Sequence, residues 1–194
     1  MRFARLLVPV LMLVGRSAAL PAQGFSIGGS LAYATLDGSD YNGIDAGLGF
    51  DAQVRYQLSN AFSIGGGFQY TSHGVEGPTE DFAFHVRGFF ADARYAFSPA
   101  SIPKVIPYLG ARFAGTHWTA SVAGSEGSAN GTAIGPVGGL LIRVGTAMQL
   151  DVGVAYLALH FGDSKTDGVT QPNSSTSGST LAMRFGFLVG LGKP

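Results

Sequence analysis

The chain has 194 residues, including 30 glycines and 14 phenylalanines, and its formal net charge is zero. Charged residues make up only 12% of the chain, which is about half of the quarter that is usual in soluble domains. The lack of a basic excess argues against nucleic-acid binding, and the high apolar content argues against disorder. Because the sequence has no cysteine, disulfides, thiolate metal sites and a thiol nucleophile are excluded.

The N-terminal residues have the features of an export signal. Two arginines precede an apolar run of ten residues from Leu6 to Gly15, and small residues follow it. This order is typical of a secretory signal peptide, and the run is shorter than the roughly 20 residues that a membrane-spanning helix needs. We therefore predict a signal peptide at 1–23 and a β-domain at 24–194. An N-terminal core helix is the alternative.

The rest of the sequence alternates apolar and polar side chains with a period of two, which is the pattern of a β-strand with two unlike faces. The predicted strands are 25–34, 46–58, 62–71, 82–97, 105–116, 134–144, 148–156 and 181–191. In the fourth segment the apolar positions change parity near Gly88, which we interpret as a β-bulge. The prediction is therefore an all-β fold with eight strands.

The connections between these strands alternate in length. Those after the second, fourth and sixth strands are short, whereas longer polar connections occur at 36–45, 72–81, 117–133 and 161–179. Short periplasmic turns that alternate with longer outer loops are typical of outer-membrane barrels. A soluble β-sandwich has no reason for this asymmetry. We therefore predict an eight-stranded antiparallel transmembrane β-barrel with four extracellular loops.

The charged side chains of the predicted strands lie opposite the aliphatic and aromatic ones. A basic residue that faces lipid at the bilayer midplane costs about 2–4 kcal/mol, and side chains fill the interior of an eight-stranded barrel. We therefore expect the charges to pair inside the barrel, and Arg87 is assigned to this face through the bulge. In the alternative, a soluble sandwich or lipocalin-like barrel, the apolar face would lie inside. The predicted interior charge network consists of Asp51, Arg55, Asp92, Arg94, Arg112, Arg143, Asp151 and Arg184.

Two short stretches resemble motifs of a known family. The sequence VIPYLGARF, from Val105 to Phe113, is similar to the PY-x-G strand of small porin-like barrels of the outer-membrane protein A, X and opacity superfamily. The C-terminal run resembles the signal that the barrel assembly machinery reads, although aliphatic residues stand where aromatic ones are usual. Its residues are Arg184, Gly186, Val189 and Leu191. The resemblance implies an outer-membrane location, contact with lipid and lipopolysaccharide, and insertion by that machinery.

The sequence contains no recognisable catalytic, cofactor-binding or metal-binding motif, so we expect none of these sites and no nucleic-acid partner. The expected role is structural or adhesion-like, through the four loops and an unidentified extracellular ligand. A narrow pore for small or hydrophobic solutes is the alternative. A lipid A-modifying enzyme is less favoured, because its His and Ser would share one strand face two residues apart. The candidate groups for it are His160 with Ser164 and Asp163, and His117 with Ser121.

Overall fold

The computed structural model describes residues 24–74, 83–97, 104–122, 125–145 and 147–191. Eight long strands form the wall of a barrel, and two short strands form a hairpin beside it. In chain order the strands are β1 (Phe25–Asp37), β2 (Gly47–Gln57), β3 (Phe62–His73), β4 (Ala83–Ala96), β5 (Val105–Val122), β6 (Ser125–Val144), β7 (Met148–Phe161), β8 (Lys165–Thr166), β9 (Val169–Thr170) and β10 (Thr176–Gly190). A 3-10 helix, Ser39–Tyr41, follows β1.

The long strands form a closed sheet. Each pairs antiparallel with its neighbour in the chain, β5 pairs with β6, and β1 pairs with β10. Closure removes the unpaired strand edges that cannot be tolerated in lipid. The fold class predicted from the sequence, an eight-stranded antiparallel transmembrane barrel, is therefore confirmed. The predicted signal peptide, 1–23, lies outside the described residues.

No helix in the described ranges is both long enough and apolar enough to cross a membrane.

The two faces of the barrel wall have opposite character. Outward side chains are apolar and strongly exposed, with Leu31 at 71% and Phe89 at 74%. Their neighbours in sequence face the lumen, where charged groups such as Arg94 are 2% exposed. Apolar groups on the outside and ions on the inside are the arrangement that suits a hydrocarbon solvent. A soluble barrel would have the reverse.

The bulge predicted at Gly88 is not present. Gly88 pairs with Gln69 on one side and Thr116 on the other, and the register of β4 is continuous through it. Arg87 therefore faces outward and is exposed, whereas Phe84 and Val86 face the lumen and are buried. The prediction was wrong because it assumed a polar lumen along its whole length, and the part nearest the outer loops is apolar.

The predicted loop 117–133 is instead a β-hairpin. The pairing of β5 with β6 runs without interruption from Val105 opposite Ile142 to Val122 opposite Ser125, so both strands extend beyond the lengths predicted for them. The short hairpin β8–β9 pairs with the extended part of β6 through Gly127. Together these strands form a small sheet at the end of the barrel that carries the longer connections.

Candidate functional site

The lumen contains a cluster of three carboxylates and four guanidinium groups, contributed by β2, β4, β5, β7 and β10. Every member is at most 5% exposed. Burying an unpaired charge is very unfavourable, so the folded barrel depends on how these groups pair. They are Asp51, Asp92, Asp151, Arg55, Arg94, Arg112 and Arg184, and we call them the ionic cluster.

Asp92 is the centre of the ionic cluster. Its Oδ1 accepts a hydrogen bond from Arg55 at 2.5 Å. Its Oδ2 accepts from Arg112 at 3.0 Å and from Arg94 at 3.3 Å. The antiparallel register brings these groups together, since Arg112 is directly opposite Asp92 and Gly65 lies between Arg55 and Asp92. One carboxylate therefore joins three cations from three strands.

The other two carboxylates extend the ionic cluster around the lumen. Asp151 Oδ2 accepts from Arg94 Nη1 at 2.7 Å, and its Oδ1 accepts from the Tyr108 hydroxyl at 2.8 Å. Asp51 Oδ2 lies 3.4 Å from Arg184 Nη1. Asp51 Oδ1 accepts a hydrogen bond from the Ser30 hydroxyl at 2.6 Å. The strands are thus linked through ions across the lumen as well as through the wall.

Aromatic rings and glycines complete the packing of the arginines. The guanidinium carbon of Arg112 lies 3.6 Å from the centre of the Phe90 ring, and that of Arg94 lies 4.6 Å from the centre of the Tyr108 ring. Such stacking is favourable for a desolvated cation. At Gly65 a Cβ atom would lie 2.9 Å from Arg55 Nη2. The small inward residue therefore makes room for the long side chain.

Arg143, which the sequence prediction placed in the network, lies elsewhere. It occupies a lumen-facing position of β6 but is exposed, close to the end of the strand beside Val144. The ionic cluster lies further along the lumen, and a role of Arg143 in an interior network stays a prediction.

Several neutral members of the cluster were missed by the sequence analysis. Gln53 accepts from Arg55 at 3.1 Å, Gln69 from Arg112 at 3.3 Å, and Tyr108 donates to Asp151. Gln53 and Tyr108 have the lumen-facing parity of the charged residues on their own strands, and Gln69 has the lumen-facing parity of β3, which carries no Asp, Glu, Lys or Arg. That parity is the signal that could have identified them, because a polar residue on the inward face must pair with something.

Beyond the ionic cluster, the half of the lumen nearest the longer connections is apolar. Between the two regions lies a cavity of about 60 Å³, which is room for a few water molecules. Tyr41 of the 3-10 helix is buried over the apolar region, and this desolvation raises the pKa of its hydroxyl. The inward apolar side chains include Phe84, Val86, Phe90, Leu157, Leu159 and Phe161.

The candidate catalytic groups are not brought together. His160 is hydrogen-bonded to Ser177 at 3.0 Å instead of Ser164, and the latter donates to Ser174. His117 Nδ1 donates to Asn130 Oδ1 at 2.9 Å. Within the described ranges no carboxylate is hydrogen-bonded to either histidine, so the orienting acid of a catalytic triad is missing there.

Three residues of the predicted assembly signal, Arg184, Gly186 and Val189, lie on β10, and Leu191 follows directly after it. Arg184 and Gly186 face the lumen, and a Cβ atom at Gly186 would collide with the backbone of Gly29 on β1. Leu191 is exposed, and its backbone N–H donates to the carbonyl of Phe25 at 2.7 Å. The segment thus forms the strand that closes the barrel.

A closed antiparallel wall with an apolar exterior and an ion-filled lumen defines a transmembrane β-barrel of the outer-membrane type. The chain belongs to the family described as outer membrane protein beta-barrel domain, whose model matches residues 5–187. The outer membrane is accordingly its location. No curated protein matches the sequence.

Solved structures show the same fold at low sequence identity. The chain is similar to Neisserial surface protein A, with 22% identity, a TM-score of 0.63, and coverage of 85% of this chain and 96% of that one. It is also similar to the outer membrane protein OprG from Pseudomonas aeruginosa, with 12% identity, a TM-score of 0.58, and coverage of 89% of this chain and 97% of that one. The outer membrane protein AlkL is similar as well, with 12% identity, a TM-score of 0.59, and coverage of 92% of this chain and 95% of that one. These likenesses concern the fold.

Proposed function

We propose that the protein is a non-enzymatic outer-membrane barrel with a structural or surface-interaction role, carried by the segments that project from the membrane. The observation that supports this proposal best is the filled lumen. The ionic cluster crosses it from β2 to β7, and the apolar layer follows. A barrel filled in this way gives mechanical continuity to the wall and leaves no wide aqueous path.

The surface-interaction role rests on the sheet beyond the barrel. The extended β5–β6 hairpin and the docked β8–β9 hairpin form a hydrogen-bonded platform, and binding residues are commonly carried on loops that a rigid scaffold positions. Asp167 helps to hold the platform, because its carboxylate accepts from the Glu126 backbone N–H at 2.9 Å and from the Ser125 hydroxyl at 2.8 Å. The ligand of this platform is outside the membrane.

Planar-bilayer conductance tests the filled lumen. The purified barrel should produce no reproducible ion-conducting steps, whereas Arg94→Ala, which removes a side chain that reaches both Asp92 and Asp151, should increase conductance. Phe89→Ala, on the lipid-facing surface, is the matched control and should leave the membrane silent. Regular conductance steps from the unmodified protein would overturn the proposal.

A shortened β5–β6 hairpin tests the surface role separately. Cells that express the full-length protein are compared with cells whose hairpin is cut back to the barrel rim, for envelope leakage and for attachment to surfaces. We expect attachment to fall while the envelope stays intact. Unchanged attachment would contradict the surface-interaction role, and the structural role alone would remain.

A narrow pore for hydrophobic solutes is the second candidate, and the apolar half of the lumen favours it. Phe90, Leu157 and Leu159 line the region next to the cavity. Uptake of a hydrophobic probe into liposomes that contain the barrel distinguishes the candidates. Uptake that Leu159→Asp reduces would favour the pore, and uptake equal to that of empty liposomes would favour the closed barrel.

We also propose that residues 1–23 are a signal peptide removed on export, and that the run from Arg184 to Leu191 is read by the barrel assembly machinery. Mass spectrometry of the membrane-extracted protein tests the first proposal, because the mature chain should lack the N-terminal residues. Leu191→Asp, at an exposed position, tests the second and should reduce the amount of inserted barrel.

A further inference from the structure

Arg87 is a cation on the lipid-facing surface of the barrel. The other arginines of the described strands occupy lumen-facing positions, but Arg87 points outward and is exposed. In the part of the chain that the structure describes, no ion pair or hydrogen bond to its side chain occurs. The cost of an outward arginine falls from about 2–4 kcal/mol at the midplane to about 0–1 kcal/mol near the interface. Its depth in the membrane therefore decides its role.

The strand register gives that depth. One row of paired residues crosses the wall through Leu31, Phe50, Tyr70, Arg87, His117 and Asn130. The row ends beside Gly162, whose backbone N–H donates to the Asn130 carbonyl just beyond β7. It therefore climbs from the middle of β1 to the outer end of the barrel. Arg87 and His117 lie on the upper part of this climb, near the outer interface.

Three histidines lie on the outward face at one common level. With a strand spacing of about 4.8 Å and a tilt of about 40°, the row rises by roughly 3 Å per strand, and two residues along a strand add roughly 5 Å. His85 is two residues above Arg87, and His160 is two residues below Gly162. His85, His117 and His160 thus lie within roughly 3 Å of the same height. Arg87 starts a little lower, and its long side chain can reach that level.

Each of these histidines has one ring nitrogen fixed by a neighbouring strand. Nδ1 of His85 is hydrogen-bonded with the Tyr70 hydroxyl at 3.0 Å. Nδ1 of His117 donates to Asn130, and Nδ1 of His160 is paired with Ser177. In all three rings Nε2 is the nitrogen available to a ligand from outside the wall. Ring orientation is therefore set by the barrel before a ligand arrives.

Arg87 and His117 form the floor of an open groove of about 680 Å³. Hydroxyl groups line its middle, including Thr119, Ser121 and Ser128, and the carboxylates of Glu126 and Asp167 lie at its far side. The groove is on the outside of the β5–β6 hairpin, where it leaves the membrane. It offers an anion site at lipid headgroup height and hydroxyl groups above it.

We propose that this groove binds the phosphorylated sugar headgroup of an outer-leaflet glycolipid of the lipopolysaccharide type. A phosphate accepts hydrogen bonds from the Arg87 guanidinium and from His117 Nε2. Because His117 Nδ1 already donates to Asn130, His117 binds the phosphate in its doubly protonated form. The sugar contacts the hydroxyl-lined wall. The acyl chains lie along the apolar exterior below, beside the exposed Phe89 and Phe113. His85 and His160 provide weaker anion contacts at the same level on neighbouring strands.

Three features of the groove favour a glycolipid over a simple phospholipid. The groove is far larger than one phosphate needs, its upper wall is rich in hydroxyl and carboxylate groups suited to a sugar, and it opens at the outer side of a membrane rich in lipopolysaccharide. The opposite rim has a different composition, with the exposed aromatic residues Phe25, Tyr95 and Phe97. The groove shares the β5–β6 hairpin with the proposed platform, but lipid binding in nanodiscs and attachment of cells are separate measurements, so either proposal can fail alone.

The test uses the folded barrel in nanodiscs of zwitterionic phosphatidylcholine. The nanodiscs are titrated with lipid A, and bound lipid is counted by native mass spectrometry. Dephosphorylated lipid A and phosphatidylglycerol are the two comparison lipids. Arg87→Gln combined with His117→Asn should weaken lipid A binding roughly tenfold or more, because two charge-assisted hydrogen bonds are lost. Lys104→Ala, which removes an exposed cation at the other end of the barrel, should leave binding unchanged.

Heat-dependent gel mobility identifies folded barrels, and the single variant Arg87→Gln is measured if the double variant does not fold. We expect dephosphorylated lipid A and phosphatidylglycerol to bind clearly more weakly than lipid A. Equal binding of lipid A by the variant and the unmodified barrel would overturn the inference. Equal binding of dephosphorylated lipid A or of phosphatidylglycerol would also overturn it, by removing the phosphate or the sugar from the recognition.

Discussion

Asp92→Asn removes the charge at the centre of the ionic cluster and keeps the shape of the side chain. Three arginines meet this carboxylate at 2.5, 3.0 and 3.3 Å. In the variant the four buried arginines would share two carboxylates, so the buried excess of positive charge would rise from one to two. Removing one partner of a buried ion pair costs about 3–5 kcal/mol. The amide oxygen can still accept one hydrogen bond, so we expect a loss of about 3 kcal/mol in the free energy of unfolding.

The assay is urea unfolding in lipid vesicles, followed by the gel mobility of the folded barrel. Asp37→Asn, an exposed carboxylate at the end of β1, is the matched control and should change stability little. Adding Arg55→Met to Asp92→Asn should recover part of the loss, because it removes the cation that would have lost its carboxylate partner. An Asp92→Asn barrel as stable as the unmodified one would refute the view that ion pairing organises the lumen.

Three further predictions concern the lumen, the lipid face and the outer platform. Tyr108→Phe removes the hydroxyl that donates to Asp151 and should lower the unfolding free energy by about 1–3 kcal/mol. Leu31→Arg places a cation on the lipid face and should lower it by about 2–4 kcal/mol. Asp167 has a pKa held below its ordinary value of 3.8 by hydrogen bonds from Glu126 N–H and a serine hydroxyl, so its contribution is present above that pH and is lost as the pH falls below it. NMR of the Glu126 amide measures this change.

Each of these predictions has its own control. Tyr33→Phe, on the exposed lipid face, should not match the loss caused by Tyr108→Phe, and equal losses would contradict the lumen contact. Thr35→Arg lies nearer the interface and should cost less than Leu31→Arg, so equal costs would contradict the assigned depth. Asp167→Asn should abolish the acid-dependent shift of the Glu126 amide, and a shift that persists would contradict the assignment to this carboxylate.

The sequence was sufficient to predict the fold because barrel strands have a strict period of two. Lipid-facing and lumen-facing residues alternate, so the placement of Asp51 and Arg55 on one parity and of Phe50 and Val54 on the other indicated both the strand and its environment. Arg143 shows that parity does not predict the height of a residue along the barrel axis. Its inward direction is predicted by alternation, but its height depends on strand tilt and register, which place it at an exposed end.

The two errors in the fold have a common physical cause. The strand pattern disappears between residues 117 and 133 because that hairpin projects into water, where neither face needs to be apolar. Phe84 and Val86 share the parity of Asp92, which suggests a bulge at Gly88 only if the lumen is polar along its whole length. A pattern of two alternating environments cannot describe a lumen that changes from ionic to apolar along its length.

The contact of side-chain methyl groups with lipid tests the inside-out arrangement most directly. NMR of methyl-labelled protein in bicelles measures magnetisation transfer from lipid acyl chains to individual methyl groups without any substitution. The account predicts strong transfer to Leu31 and Met183, which are 71% and 54% exposed, and none to Leu159 and Ala155, which are 5% and 2% exposed. Transfer to Leu159 and Ala155 without transfer to Leu31 would contradict it.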